Sequence, residues 1–115
     1  MNDEIPILIV DDEPEVRALM HDYFAGLGHQ VAEAGNGLEG LFLMKKHRPK
    51  VILLDLMMPR IGGLDAIRHI QQFDPAIRIV VMSGHVDDIL EAELQRRNIA
   101  VLRKPLNLDA LAAMA

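Results

Sequence analysis

Four short apolar runs in this chain each stop at residues able to do chemistry. Residues 5–10 run into Asp11 and Asp12, the aliphatic residues 51–54 into Asp55, residues 77–82 into Ser83, and residues 99–102 into Arg103 and Lys104. If those ends meet, they assemble three carboxylates, a hydroxyl and an ammonium. Three carboxylates within a few ångströms repel one another. A hard cation such as Mg²⁺ is the usual means of holding them ionised, because it takes oxygen ligands and keeps positions open for water and phosphate oxygens. A carboxylate at a rigid strand end can attack phosphorus to form an aspartyl phosphate, while metal, lysine and hydroxyl neutralise the equatorial oxygens of the transferring group. Asp55 is the expected acceptor, Ser83 and Lys104 the expected phosphoryl contacts, and Mg²⁺ the expected cofactor.

Whether those ends meet depends on the elements between them. Val51-Ile52-Leu53-Leu54 lacks polar alternation and describes a strand buried on both faces, as does the run from Ile77 to Met82. Residues 30–34 make a weaker strand suited to an edge. Between the strands lie helical patterns. Val16, Leu19, Met20, Tyr23, Phe24 and Leu27 fall on one stripe that Gly28 ends; Asp11, Asp12 and Glu13 are placed to cap its first turn, with Pro14 at an early helical position. Gly35-Asn36-Gly37 opens a second helix carrying Leu38, Leu41 and Met44 on one face. Leu64, Ile67 and Ile70 mark a third, residues 86–97 a fourth, and residues 106–114 a short fifth.

Strands alternating with helices over short connections give a parallel sheet covered on both faces. The expected fold is α/β: a flavodoxin-like, doubly wound, five-stranded parallel sheet of order 2-1-3-4-5 with about five helices. In that order strands one, three, four and five are consecutive neighbours, so their carboxyl ends converge where open α/β sheets bind ligands.

The pattern resembles the receiver (CheY-like) domain of two-component response regulators. Asp11-Asp12, Asp55-Leu56-Met57-Met58-Pro59 with Gly63, Ser83 and Lys104-Pro105 stand in the family's order and spacing over essentially the whole chain. The resemblance implies that Asp55 accepts phosphate from a histidine kinase or a histidine phosphotransfer protein. It implies that Asp12, Asp55 and the backbone carbonyl of Met57 ligate Mg²⁺, with Asp11 acting largely through water. It further implies a cis Lys104-Pro105 peptide, phosphoryl contacts from Ser83 and Lys104, and output or homodimer formation through the helix 4/strand 5/helix 5 face. Such a domain is a phosphoacceptor that assists its own phosphorylation and dephosphorylation, not an enzyme acting on a separate substrate.

Three features depart from the family pattern. Val101 stands where the family carries the Tyr or Phe that couples the hydroxyl to the output face; Gly84 replaces the small residue after Ser83; and residues 96–100 lack the common Ala-Gly-Ala, which predicts a reshaped turn. Val101 is small and stiff at χ1. Output is therefore expected through the backbone of residues 83–86 and the start of helix four, with strand five nearly silent.

Taken singly, the same residues have plainer readings: a helix cap at Asp11 to Glu13, a turn at Ser83-Gly84, a solvated Lys104. Their joint placement at four neighbouring strand ends favours the site. The seven methionines read as core filling, and the five histidines show no ligand spacing, although His85 falls two residues past Ser83.

Composition narrows the classes. The 115 residues fit one domain, residues 1–115, with half of them hydrophobic. The absence of cysteine removes disulfides and thiolate sites, and the cytoplasm is the expected compartment. No run approaches the roughly 18 apolar residues of a membrane span, so no membrane contact is expected. A formal charge of −5 argues against a nucleic-acid surface. A haloacid-dehalogenase-type hydrolase would need a second Asp where Met57 stands, and a flavodoxin a Ser/Thr-rich loop where Asp11-Asp12 stand. The alternative that survives is a pseudo-receiver, a phosphorylation-independent binding or dimerisation module.

Overall fold

Parallel pairing links five strands in the order β2-β1-β3-β4-β5. The computed structural model describes residues 4–56, 63–84, 88–104 and 109. In chain order the elements are β1 (Ile7–Val10), α1 (Pro14–Gly26), β2 (Val31–Ala34), α2 (Gly37–His47), β3 (Val51–Asp55), α3 (Gly63–Phe73), β4 (Arg78–Ser83), α4 (Asp88–Arg96) and β5 (Ala100–Arg103). The expected sheet and its order are thus those of the protein. Of the short fifth helix expected over residues 106–114 only Asp109 is described, and Met57, His85 and the Lys104-Pro105 peptide lie outside the described residues.

The sheet divides two cores. Leu8, Val10, Ile52, Leu54, Ile79 and Val81 meet Met44, Ile67, Ile70 and Leu94 on the side of α2, α3 and α4. Ile7, Ile9, Val51, Leu53, Val80 and Met82 meet Met20 and Phe24 of α1 on the other. This is why β1 and β3 read as unbroken apolar runs: alternate residues serve opposite cores. Each large side chain buried this way contributes roughly 1.5–3 kcal/mol.

Two helical stripes are narrower than the sequence pattern suggests. On α1 only Met20 and Phe24 are fully buried, while Leu19 and Leu27 are more than half exposed. On α2 the expected Leu38 faces solvent at 71% exposure, and the buried line runs through Gly37, Gly40 and Met44. The cause is close packing. A Cβ on Gly40 would lie 2.9 Å from Val10 Cγ2, so the bare glycine lets α2 sit directly on β1, while Met44 is buried and Leu41 packs against the core as expected.

Two helices close on residues that tolerate positive φ. After α1, Gly28 (φ 94°) and His29 donate to the carbonyls of Ala25 and Phe24. After α4, Asn98 (φ 59°) and Ile99 donate in the same way to Gln95 and Leu94. Both are Schellman closures, and Asn98 does there what glycine does in the first. The turn that was expected to be reshaped for want of a glycine therefore closes regularly.

Candidate phosphoacceptor site

The register decides which residues meet. Val10 pairs with Leu54, so Asp11 and Asp55 each follow a paired residue on adjacent strands. Asp55 pairs with Met82 and Ser83 with Arg103, which puts Ser83 and Lys104 one step further along the same edge. Among the described residues the buried polar side chains are Asp11, Asp55 and Ser83, all at this end of the sheet. Burying them costs free energy unless they are partnered.

Lys104 is the central partner. Its Nζ lies 3.0 Å from Asp11 Oδ2, 3.0 Å from Glu13 Oε1 and 3.2 Å from Asp55 Oδ2. Burial pulls its pKa down, but the hydrogen bonds to Glu13 and Asp11 and the charges of Asp55 and Asp11 outweigh it and raise the pKa above that of an ordinary lysine. The Lys104 backbone N–H donates to Ser83 O at 2.8 Å, joining the ends of β4 and β5.

Asp11 is held at every polar atom. Its N–H donates to Ala34 O at 3.1 Å, and its carbonyl accepts from Arg17 Nη1 at 2.7 Å. Its Oδ1 accepts from the Glu13 N–H at 2.9 Å. The expected capping by the acidic run is thereby corrected: Glu13 is the N-cap of α1 and makes no side-chain cap bond, while Asp11 takes the N–H, and Pro14 begins the helix as expected. Burial, aided by the nearby charge of Asp55, raises the Asp11 pKa against the pull of the Glu13 N–H and Lys104.

Asp12 and Glu13 are exposed and complete the cluster. One oxygen from each of Asp11, Asp12, Glu13 and Asp55 lies within 4.8 Å of the others. The donor set is all oxygen and anionic, which fits a hard divalent cation. Of the residues expected from sequence, Asp11, Asp12, Asp55 and Lys104 are brought together, Ser83 stands buried beside them, and the Met57 carbonyl lies outside the described residues. Val101 is half-buried against the α2/α3/α4 core.

Two site residues were not anticipated. Glu13 reads as part of a cap, and its contact with Lys104 joins the segments that follow β1 and β5, which are far apart in sequence. Arg17 reads as a polar helix position; only its spacing of six from Asp11 hints that it reaches back over the first turn of α1.

The profile of the response regulator receiver domain matches residues 7–115. The sporulation initiation phosphotransferase F of Bacillus subtilis is 30% identical over 112 residues, 96% of this chain and 89% of that protein. A response regulator receiver protein of Anaeromyxobacter is 38% identical over 100 residues, 86% of this chain but 42% of that protein, so the chain spans less than half of that relative. Among solved structures, a two-component transcriptional regulator from Clostridium phytofermentans superposes with a TM-score of 0.83 at 30% identity, covering 96% of this chain and 90% of that one.

Proposed function

The chain belongs to the response regulator receiver family, and from that premise we propose that it is a phosphoacceptor in a two-component relay, with Asp55 taking the phosphoryl group from a phosphohistidine of a histidine kinase or phosphotransfer protein. One observation carries the reading: a strand-end carboxylate, 2% exposed, faces a lysine ammonium 3.2 Å away inside a cluster of carboxylate oxygens. A buried carboxylate supported only for stability would more economically be an apolar residue.

In the proposed transfer an Asp55 carboxylate oxygen attacks phosphorus, a P–O bond forms as the P–N bond to imidazole breaks, and the freed imidazole keeps the bond electrons. Lys104 turns its ammonium from the carboxylates to a phosphoryl oxygen, and the Ser83 hydroxyl donates to another. Donors aimed at developing charge are worth about 10²–10³ in rate each. Asp12 and Asp55, with Asp11 behind them, would hold Mg²⁺, joined in this proposal by the Met57 carbonyl. When bound, the ion neutralises charge on the phosphoryl oxygens.

Incubation with Mg²⁺ and acetyl phosphate tests this. The protein should gain the mass of one phosphoryl group, and Asp55→Asn should abolish the gain with the fold intact. Undiminished labelling of Asp55→Asn would remove Asp55 from the role, and an unlabelled wild-type chain would favour the pseudo-receiver.

A further inference from the structure

Asp11 is the first residue of β1's run to leave the strand, and such a residue ordinarily has a carbonyl with no ladder partner. Here that carbonyl takes a 2.7 Å hydrogen bond from Arg17, a residue of α1 that is itself mostly buried, its side chain 20% exposed. The same guanidinium forms an ion pair with Glu33 on the edge strand β2, its Nε 3.5 Å from Oε1. Glu33 sits opposite Ile9 in the register and also approaches His21 Nδ1 at 2.8 Å, out of line for a hydrogen bond. Gly35 leaves room beside it: a Cβ there would stand 3.3 Å from Arg17 Nη1, close enough that the guanidinium would have to shift by a few tenths of an ångström.

From this geometry we infer that Arg17 is a positioning residue of the site: anchored by Glu33, it sets the backbone at Asp11 and Asp12 and so the direction in which their carboxylates meet a divalent cation. The inference rests on the phosphoacceptor reading. The planar fork explains why arginine suits the position, because two of its nitrogens reach a carbonyl on one side and a carboxylate on the other, which a single ammonium cannot do in fixed geometry. It also assigns work to β2, a four-residue edge strand of which only Ala34 is buried. Through Glu33 and Arg17, the edge strand braces the carboxylate pair.

Mg²⁺ titration of the whole chain, followed by backbone amide shifts, tests the assignment alongside melting of the metal-free protein. Arg17→Gln should raise the Mg²⁺ dissociation constant about tenfold or more, as removal of a group that orients a metal ligand commonly does. Glu33→Gln should raise it less, and the double variant should be no worse than Arg17→Gln, since both remove one tie. Arg17→Lys keeps the charge without the fork and should lie between. If Arg17 were merely structural, the melting temperature would fall while the Mg²⁺ constant stayed within about twofold of wild type, and that result overturns the inference. Should Arg17→Gln fail to fold, Arg17→Lys and Glu33→Gln carry the decision by the same criterion. A wild-type chain that neither binds Mg²⁺ nor takes the acetyl-phosphate label overturns the underlying reading; normal labelling with unmoved Mg²⁺ constants in the variants overturns only the role of Arg17.

Discussion

The site is assembled from two unlike halves of the sheet. β1 and β3 are buried along their whole length and bring Asp11 and Asp55. The flank of α4 and β5 is lightly packed: β5 is at most half-buried, Leu94 is the buried residue of α4, and Ile89 is 84% exposed. From this flank comes Lys104. On the phosphoacceptor reading, the difference separates two requirements: an acceptor and its neighbouring carboxylates need fixed positions, whereas an ammonium that turns from carboxylates towards a new phosphoryl dianion needs freedom to move.

The contrast is broken most directly by truncation. Leu53→Ala, in the middle of β3 and fully buried, should cost about 2–5 kcal/mol in denaturant unfolding. Val101→Ala on the flank should cost much less. Equal losses would show that the flank is as tightly built as the centre.

A smaller effect tests the seating of α2 on β1. Gly40→Ala gains roughly 1 kcal/mol of helix propensity, yet its methyl would press on the stiff, buried Val10 side chain. Overpacking of this kind costs about 1–3 kcal/mol, so a net loss of stability is expected. A more stable variant would mean that α2 can lift from the sheet.

Asp11→Asn probes the charge held by the rigid half. Because the folded-state pKa of Asp11 is raised, the ionised carboxylate opposes folding above that value, and the opposition disappears as pH falls through it. The asparagine variant should therefore melt slightly higher than wild type near neutral pH, without metal, and the gain should vanish on acidification. A lower melting temperature at neutral pH would show that the ion pair to Lys104 outweighs burial.

The smallest expected change is on β5. A beryllofluoride mimic of the phosphoryl group should move the Gly84 amide strongly and those of Val101 and Leu102 little, since a half-buried valine has little area or freedom with which to signal. Comparable shifts at Val101 would show that the flank responds through strand five after all.

The order of the sheet and the convergence of Asp11, Asp12, Asp55 and Lys104 were legible in the chain alone. Doubly buried runs, turn residues and right-handed crossovers leave few arrangements, and strand ends in such a sheet have only one edge to share. Which helical residues would be buried was less legible. Leu38 and Met44 fit one periodic face equally well, and only the approach of Gly40 to Val10 selects between them. Glu13 and Arg17 were hidden for a related reason. Local pattern records what a residue does within its own turn, and theirs is decided by Lys104, 91 positions from Glu13, and by Glu33 on another strand. Periodicity and turn chemistry are properties of neighbours in sequence, so they dictate the elements and their order. The partners of a long charged side chain are neighbours in space, and only the packed structure supplies them.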